Sequence, residues 1–343
     1  MSNLFTFHPV ARDSGFHMDT HWVWCGSVVR GEDGRYHMFA SRWPKTFSMS
    51  PHWLFHSEVV RAVSDRPEGP YLFEEVVLER RGPQYFDGMN THNPSIRFWD
   101  GTYYLYYMGT SYDEQPPQPG EQVPDERVLA TWNRKRIGLA SSTSVFGPWT
   151  RRDEPLLLPR PGHWDCTATT NPSAAILPDG TTYMIYKSRS AANATLRLGM
   201  TRAARPDGPF ERLSDEPLFN FSDPNWHVED PFFWHDPTDG RFHVVMKDDY
   251  KGEPAFAPGG GITGEWGAGV HASSEDALNW EIHGKAYPRS ITWDDGTTTV
   301  PANLERPFLL FQDGKPSHLF AAHAQGPRPW HFTDTWNVCL PIA

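Results

Sequence analysis

The chain has 343 residues, with Lys+Arg 31 against Asp+Glu 42 and a formal charge of −11, a balance that argues against nucleic-acid and anionic membrane partners. No apolar run reaches the roughly 18 residues of a membrane helix, and 32 Pro with 28 Gly exclude a mostly helical protein. An aromatic content of 14%, including 15 Trp, excludes a disordered one.

The opening MSNLFTFHPVARDSG lacks a basic stretch followed by an apolar core, so the expectation is no secretory signal and a cytoplasmic location. Cys25, Cys166 and Cys339 read as reduced thiols, too scattered for a disulfide framework or a CxxC zinc site. Residues 4–10 predict one strand. Residues 22–43, WVWCGSVVRGEDGRYHMFASRW, predict two strands around an Asp-Gly turn, the strongest short-range hairpin signal. SEVVRAVSDRPEGPYLFEE, from Ser57, adds a strand, a Gly-Pro-aromatic turn and a further strand.

This four-strand pattern then recurs along the chain. Its first half returns as HNPSIRFWDGTYYLYYMGT from His92, TNPSAAILPDGTTYMIYKS from Thr170, EDPFFWHDPTDGRFHVVMKD from Glu229 and ERPFLLFQDGKPSHLFAAH from Glu305. Its second half returns as RIGLASSTSVFGPWTRR from Arg136, LRLGMTRAARPDGPFERL from Leu196 and, more loosely, AGVHASSEDALNWEIHG from Ala268. Residues 113–127 and 251–266 read as long insertions on one rim. The repeat predicts an all-β fold, a five-bladed β-propeller of four-stranded antiparallel blades in one domain. The blades fall at residues 19–80, 90–160, 166–220, 227–288 and 300–343. The last is one strand short, and residues 4–10 are expected to complete it and close the ring.

Inner strands of a propeller all begin at one end of the channel, so their leading residues converge. Those are Asp19 and His21, His92 and Asn93, Thr170 and Asn171, Glu229 and Asp230, and Glu305 and Arg306. Acids from separate blades at one mouth repel each other and perturb each other's pKa, which is how functional sites are built. Trp22, Trp24, Trp43, Trp164, Trp226 and Trp266 lie in or beside these segments and suit stacking against the C–H face of a sugar. Trp149 and Trp280, after turns, read as blade-packing residues.

Five blades, several inner-strand acids, and phrases such as VEDPFFW and LERPFLLF make the chain resemble the five-bladed propeller glycoside hydrolases of families 43 and 117. The resemblance covers nearly the whole chain. It implies an inverting exo-glycosidase acting on a terminal sugar of an oligosaccharide, with a base in blade one, a general acid, and a third acid that tunes it. Asp19 matches the base. Glu229, two residues before Pro231, matches the family 43 acid. The third acid is lost, because Asn171 stands where family 43 has Asp; Asp165, Asp230 and Glu305 are its candidate replacements, and Glu305 is also a candidate acid. Family 117 looks to use a histidine as acid, which brings in His227. His21, Trp22, Trp24, His92, Asn93, His163, Trp164, Asn171 and Arg306 are the candidate sugar-binding residues.

No HExxH or EF-hand loop occurs, so no cofactor is assigned, although propellers of this type sometimes hold a Ca²⁺ or similar ion in the channel. Two other readings stay open on the same fold: a glycoside phosphorylase or fructosyl transferase, and a non-catalytic carbohydrate-binding propeller. Phosphorolysis calls for Arg, Lys or His at the mouth, against which the acidic ring counts. The sugar, its linkage and the oligomeric state are not legible.

Overall fold

In the computed structural model, which describes residues 3–190, 195–253, 256 and 258–343, an Asp-Gly pair closes the first hairpin of every blade. Gly34, Gly101, Gly180, Gly240 and Gly314 all have φ between 72° and 89°, a conformation that only glycine adopts freely. Blade one contains β1 (His21–Arg30), β2 (Tyr36–Pro44), β3 (Glu58–Ser64) and β4 (Leu72–Leu78), with the short helix α1 (Trp53–His56) between β2 and β3. Blade two contains β5 (Asn90–Trp99), β6 (Thr102–Thr110), β7 (Arg136–Ser142) and β8 (Thr150–Arg151). Helix α2 (Asp125–Asn133) lies in the insertion between β6 and β7. Blade three contains β9 (Thr170–Ile176), β10 (Thr182–Ser188), β11 (Arg197–Ala203) and β12 (Glu211–Arg212). Blade four contains β13 (Val228–Asp236), β14 (Arg241–Asp248), β15 (Gly269–Ser274) and β16 (Glu281–Tyr287). A small hairpin, β17 (Ile291–Thr292) with β18 (Thr298–Thr299), precedes blade five, which contains β19 (Asn303–Gln312), β20 (Lys315–Gln325) and β21 (Asp334–Pro341). Within every blade the strands pair in chain order, each antiparallel to the next. No helix among the described residues is long and apolar enough to cross a membrane.

The aromatic residue of each Gly-Pro turn packs onto the blade before it. Trp149 of blade two meets Phe39 of blade one edge-on at 5.3 Å, and Tyr71 of blade one meets Phe320 of blade five at 6.2 Å. Phe210 of blade three joins the core cluster of Tyr104 and Tyr106 from blade two. Burying such a side chain contributes about 1.5–3 kcal/mol. Inside blades two and three a buried acid ties the outer strand to the rest. Asp87 pairs with Arg81 (2.7 Å) and Arg151 (2.5 Å) and accepts from the Tyr107 hydroxyl. Asp165 repeats this with Arg160 (3.0 Å), Arg212 (2.5 Å) and Tyr186 (2.9 Å).

Ring closure differs in detail from the expected fourth strand. The N-terminal segment runs along β21 through single bridges, Phe7 to Ile342 and Phe16 to Asn337, not through a continuous ladder. It also spans three blades. Phe5 N–H donates to Ala286 of blade four, Phe16 exchanges both backbone bonds with Asn337 of blade five, and Gly15 bonds Glu68 and Tyr71 of blade one.

Every inner strand carries one irregularity at the same height. Cys25, Asn93, Asn171, Asp230 and Arg306 have φ between 52° and 57°, and the ladder register shifts beside each of them. A non-glycine residue in this region is uncommon and costs about 1–3 kcal/mol. The bulge turns each side chain out of the sheet and into the channel. Blade one therefore contributes Cys25 to this ring, and Asp19 does not belong to it.

Candidate active site

The five ring residues form a hydrogen-bonded floor across the channel. The Cys25 thiol donates to Asn93 Oδ1 (2.7 Å), Asn93 Nδ2 donates to Asn171 Oδ1 (2.7 Å), and Asn171 Nδ2 donates to Asp230 Oδ1 (3.1 Å). From the other side Arg306 Nη1 stands 3.0 Å from Asp230 Oδ1. Every donor in the chain points toward the carboxylate, an arrangement in which each bond polarises the next. Burial raises the Asp230 carboxyl, but Arg306, then Lys187 and Lys247, outweigh it and hold the group below the usual carboxylate range. Burial pushes the Cys25 thiol up, so it donates as a thiol.

Above this floor opens a pocket of about 160 Å³. Its walls include Trp24, Trp43, Trp53, Trp132 and Trp330, and its charged lining is Glu229, Glu305, Asp230, Lys135, Lys187 and Arg306. The residues just before the bulges of blades one, two, four and five face this side, which places Trp24, His92, Glu229 and Glu305 in the pocket. Glu305, with 6% of its side chain exposed, accepts at Oε1 from Lys247 (2.6 Å) and Asn303 (2.8 Å). Burial raises its pKa, Lys247 opposes this, and the charge of Asp230 adds to the rise. Glu229, 12% exposed, faces Lys187 at 3.8 Å. His92 shares a hydrogen bond with Ser57 (2.7 Å) and stands between the Trp43 and Trp53 rings. Burial, with Arg306 and Lys135 nearby, lowers its pKa well below the ordinary histidine value, so it is neutral near pH 7.

Of the residues singled out from sequence, the fold brings Trp24, Trp43, His92, Asn93, Asn171, Glu229, Asp230, Glu305 and Arg306 to this pocket and its floor. Asp19 is elsewhere: its side chain is 96% exposed and lies 3.7 Å from His17. His21 hydrogen-bonds Thr20, and the Trp22 indole donates to the Phe47 carbonyl, both outside the pocket. His163 is exposed, Trp164 stacks on Tyr186, and Trp226 packs edge-on against Phe221. Asp165 is consumed by the blade-three tie. His227 lies one layer behind Glu229, between Asp249 (3.1 Å) and the Leu196 carbonyl (2.6 Å). Trp266 backs the pocket wall, donating to Asp249 at 3.2 Å.

Lys135, Lys187, Lys247, Trp53, Trp132 and Trp330 were not singled out from sequence. Lys187 and Lys247 occupy matching places near the ends of β10 and β14, where MIYKS and VVMKD each put a lysine into the apolar second strand of a blade. That recurrence was the available signal. Lys135 and Trp132 arrive through α2 and the turn after it, beyond the reach of the repeat.

His227, Glu229 and Asp249 each offer a ligand atom within 4.8 Å of the others. Those atoms are already engaged. Asp249 pairs with Lys247 (3.3 Å) and Lys251, and both His227 nitrogens have partners. A divalent cation would have to displace two ammonium groups here, and the channel floor is held by the Arg306 guanidinium. The residues do not fit the ion that the sequence resemblance allowed.

No protein-family model and no curated protein sequence matches the chain. Solved structures do match its fold. A family 117 glycoside hydrolase of the marine bacterium Zobellia galactanivorans superposes with a TM-score of 0.61 at 17% identity, covering 98% of this chain and 89% of that one. A thermostable family-43 glycoside hydrolase gives 0.60 at 15%, covering 98% and 95%. A protein of unknown function from Dyadobacter fermentans gives 0.63 at 10%, covering 99% and 100%. At these identities the shared property is the five-bladed propeller itself.

Proposed function

We propose that this protein is a glycoside hydrolase that releases a terminal sugar from an oligosaccharide, with Glu229 and Glu305 as its working carboxyl groups. The observation that carries the reading is that these two carboxyls enter one blind, tryptophan-walled pocket from neighbouring blades. Glu305 acts as the general acid. Its Oε1 is held by Lys247 and Asn303 while burial favours the protonated form, suiting it to protonate the leaving oxygen. Glu229 acts as the base that draws a proton from the attacking water. The sealed floor and small volume favour exo action on one terminal residue. Inversion is the expected outcome, as the resemblance to families 43 and 117 suggests.

The test is sugar release from a panel of plant and algal oligosaccharides and aryl glycosides, with E229Q and E305Q beside the wild type. Wild-type release is expected, with a loss of roughly 10²–10⁴ in each variant on natural linkages. Aryl glycosides with good leaving groups should restore E305Q but not E229Q. Rescue of E229Q alone would exchange the two roles, and no release from any substrate would sink the hydrolase reading.

A second reading is supported by the cations of the pocket: Arg306, already singled out from sequence, is joined there by Lys135 and Lys187. In phosphorolysis a phosphate oxygen replaces water: the glycosidic C–O bond breaks, a C–O–P bond forms, and the proton of Glu305 goes to the leaving oxygen. Dependence of release on added phosphate, with a sugar phosphate as product, separates it from hydrolysis.

A further inference from the structure

We propose that the pocket contains an oxyanion subsite, centred on Lys135 beside the Trp132 indole, which holds a negatively charged group of the substrate. This rests on the pocket being a carbohydrate site, and it goes further by naming a charged rather than neutral ligand.

The charges in the pocket are otherwise matched. Asp230 is shared by Arg306 (3.0 Å) and Lys187 (3.3 Å), Glu305 is bound to Lys247 (2.6 Å), and Glu229 faces Lys187 (3.8 Å). Lys135 stands apart. It is 3% exposed, lines the pocket, and has no carboxylate partner among the described residues. Its ammonium lies 3.4 Å from the centre of the Trp132 ring and 5.5 Å from that of Trp53. Arg189, half-buried, sits 3.9 Å from the same Trp132 ring, and among the described residues its guanidinium makes one long hydrogen bond, to Asn133 (3.4 Å).

A buried cation without a counter-ion is costly, and an indole face offsets only part of that. Burial, then Lys187, Arg306 and Arg189, push the Lys135 amine well below its ordinary pKa, and Glu229 opposes them only partly. The Lys135 side chain is not needed to end α2. The Asn133 carbonyl is taken by Arg136 and the Thr131 carbonyl by Thr110 and the Arg134 amide. What the arrangement lacks is an anion. Two sources share that chemistry: a carboxylate or sulfate carried on the sugar ring, and free inorganic phosphate.

Isothermal titration separates them, using the wild type, Lys135→Met and the Glu229→Gln variant. The probes are inorganic phosphate, sodium sulfate, glucuronate, galacturonate, a sulfated monosaccharide, and glucose and galactose as neutral controls. At least one anion should bind to wild type and to E229Q, with affinity at least tenfold weaker in K135M. Glucose and galactose should be insensitive to the Lys135 change. Binding of a uronate or sulfated sugar without phosphate or sulfate assigns the charge to the substrate, and binding of phosphate assigns it to a free oxyanion. K135M removes an unmatched buried charge, so its melting temperature should equal or exceed that of wild type, which guards against misfolding. No anion binding at millimolar concentration, or binding unchanged in K135M, overturns the proposal. Anion binding without sugar release from any substrate would keep the subsite and remove the hydrolase reading. Release of neutral sugars with no anion binding would do the reverse.

Discussion

Asn171 accepts hydrogen bonds at Oδ1 from Asn93 and Thr170 and donates through Nδ2 to Asp230. A carboxylate at this position could accept but not donate, and it would set a second negative charge against Asp230. The amide that departs from the family 43 pattern is therefore what the continuous floor requires. Asp230 in turn balances Arg306 and Lys187, so Asp230→Asn should destabilise the fold by about 3–5 kcal/mol, as expected when one member of a buried ionic cluster is removed. Because the folded-state pKa of Asp230 lies below its unfolded value, its contribution is present above the unfolded pKa, about 3.9, and fades as pH falls through the folded one. Denaturant unfolding between pH 6 and pH 2 should show the gap between wild type and D230N closing at the acid end. A gap independent of pH would mean that packing, not charge, accounts for the loss.

At the scale of strands and turns, the ties around Asp87 and Asp165 distinguish architecture from chemistry. Asp165→Asn should lower stability by about 3–5 kcal/mol, chiefly by leaving Arg212 without its carboxylate partner. Sugar release per folded molecule should stay within about twofold of wild type, because this side chain lies outside the pocket. A loss of turnover without a loss of stability would return Asp165 to the catalytic machinery. Strands and hairpins were legible from sequence because Asp-Gly turns punctuate every unit and Gly-Pro-aromatic turns the first three, at fixed places. The bulges were not read from sequence, although a proline follows four of them, at Pro94, Pro172, Pro231 and Pro307. Blade one has Gly26 in that place, so the phrase is unrecognisable there, and reading by position slipped upstream to Asp19. The lysines and Trp132 were hidden for another reason: a cation in a second strand or after an insertion has no meaning until the ring brings five blades to one axis.

For the molecule as a whole, the N-terminal segment is the seal between first and last blades. Gly15 sits at φ 81°, and a Cβ there would lie 1.7 Å from the Asn337 carbonyl oxygen. Gly15→Ala should cost at least about 2 kcal/mol through strain and displacement of the segment. Calorimetry should record a lower melting temperature, while a variant as stable as wild type would show that the clasp does not bear on ring integrity. The same seam joins β21 directly to β1, where Gly26 N–H donates to Asn337 Oδ1 across 311 residues of chain. Contacts so distant in sequence repay the entropy of loop closure only after the intervening blades are gathered, which makes the seam a late event in folding. Until residue 337 meets residue 26, the flanks of blades one and five stand as open strand edges, and edge-to-edge association between chains has its opportunity in that interval.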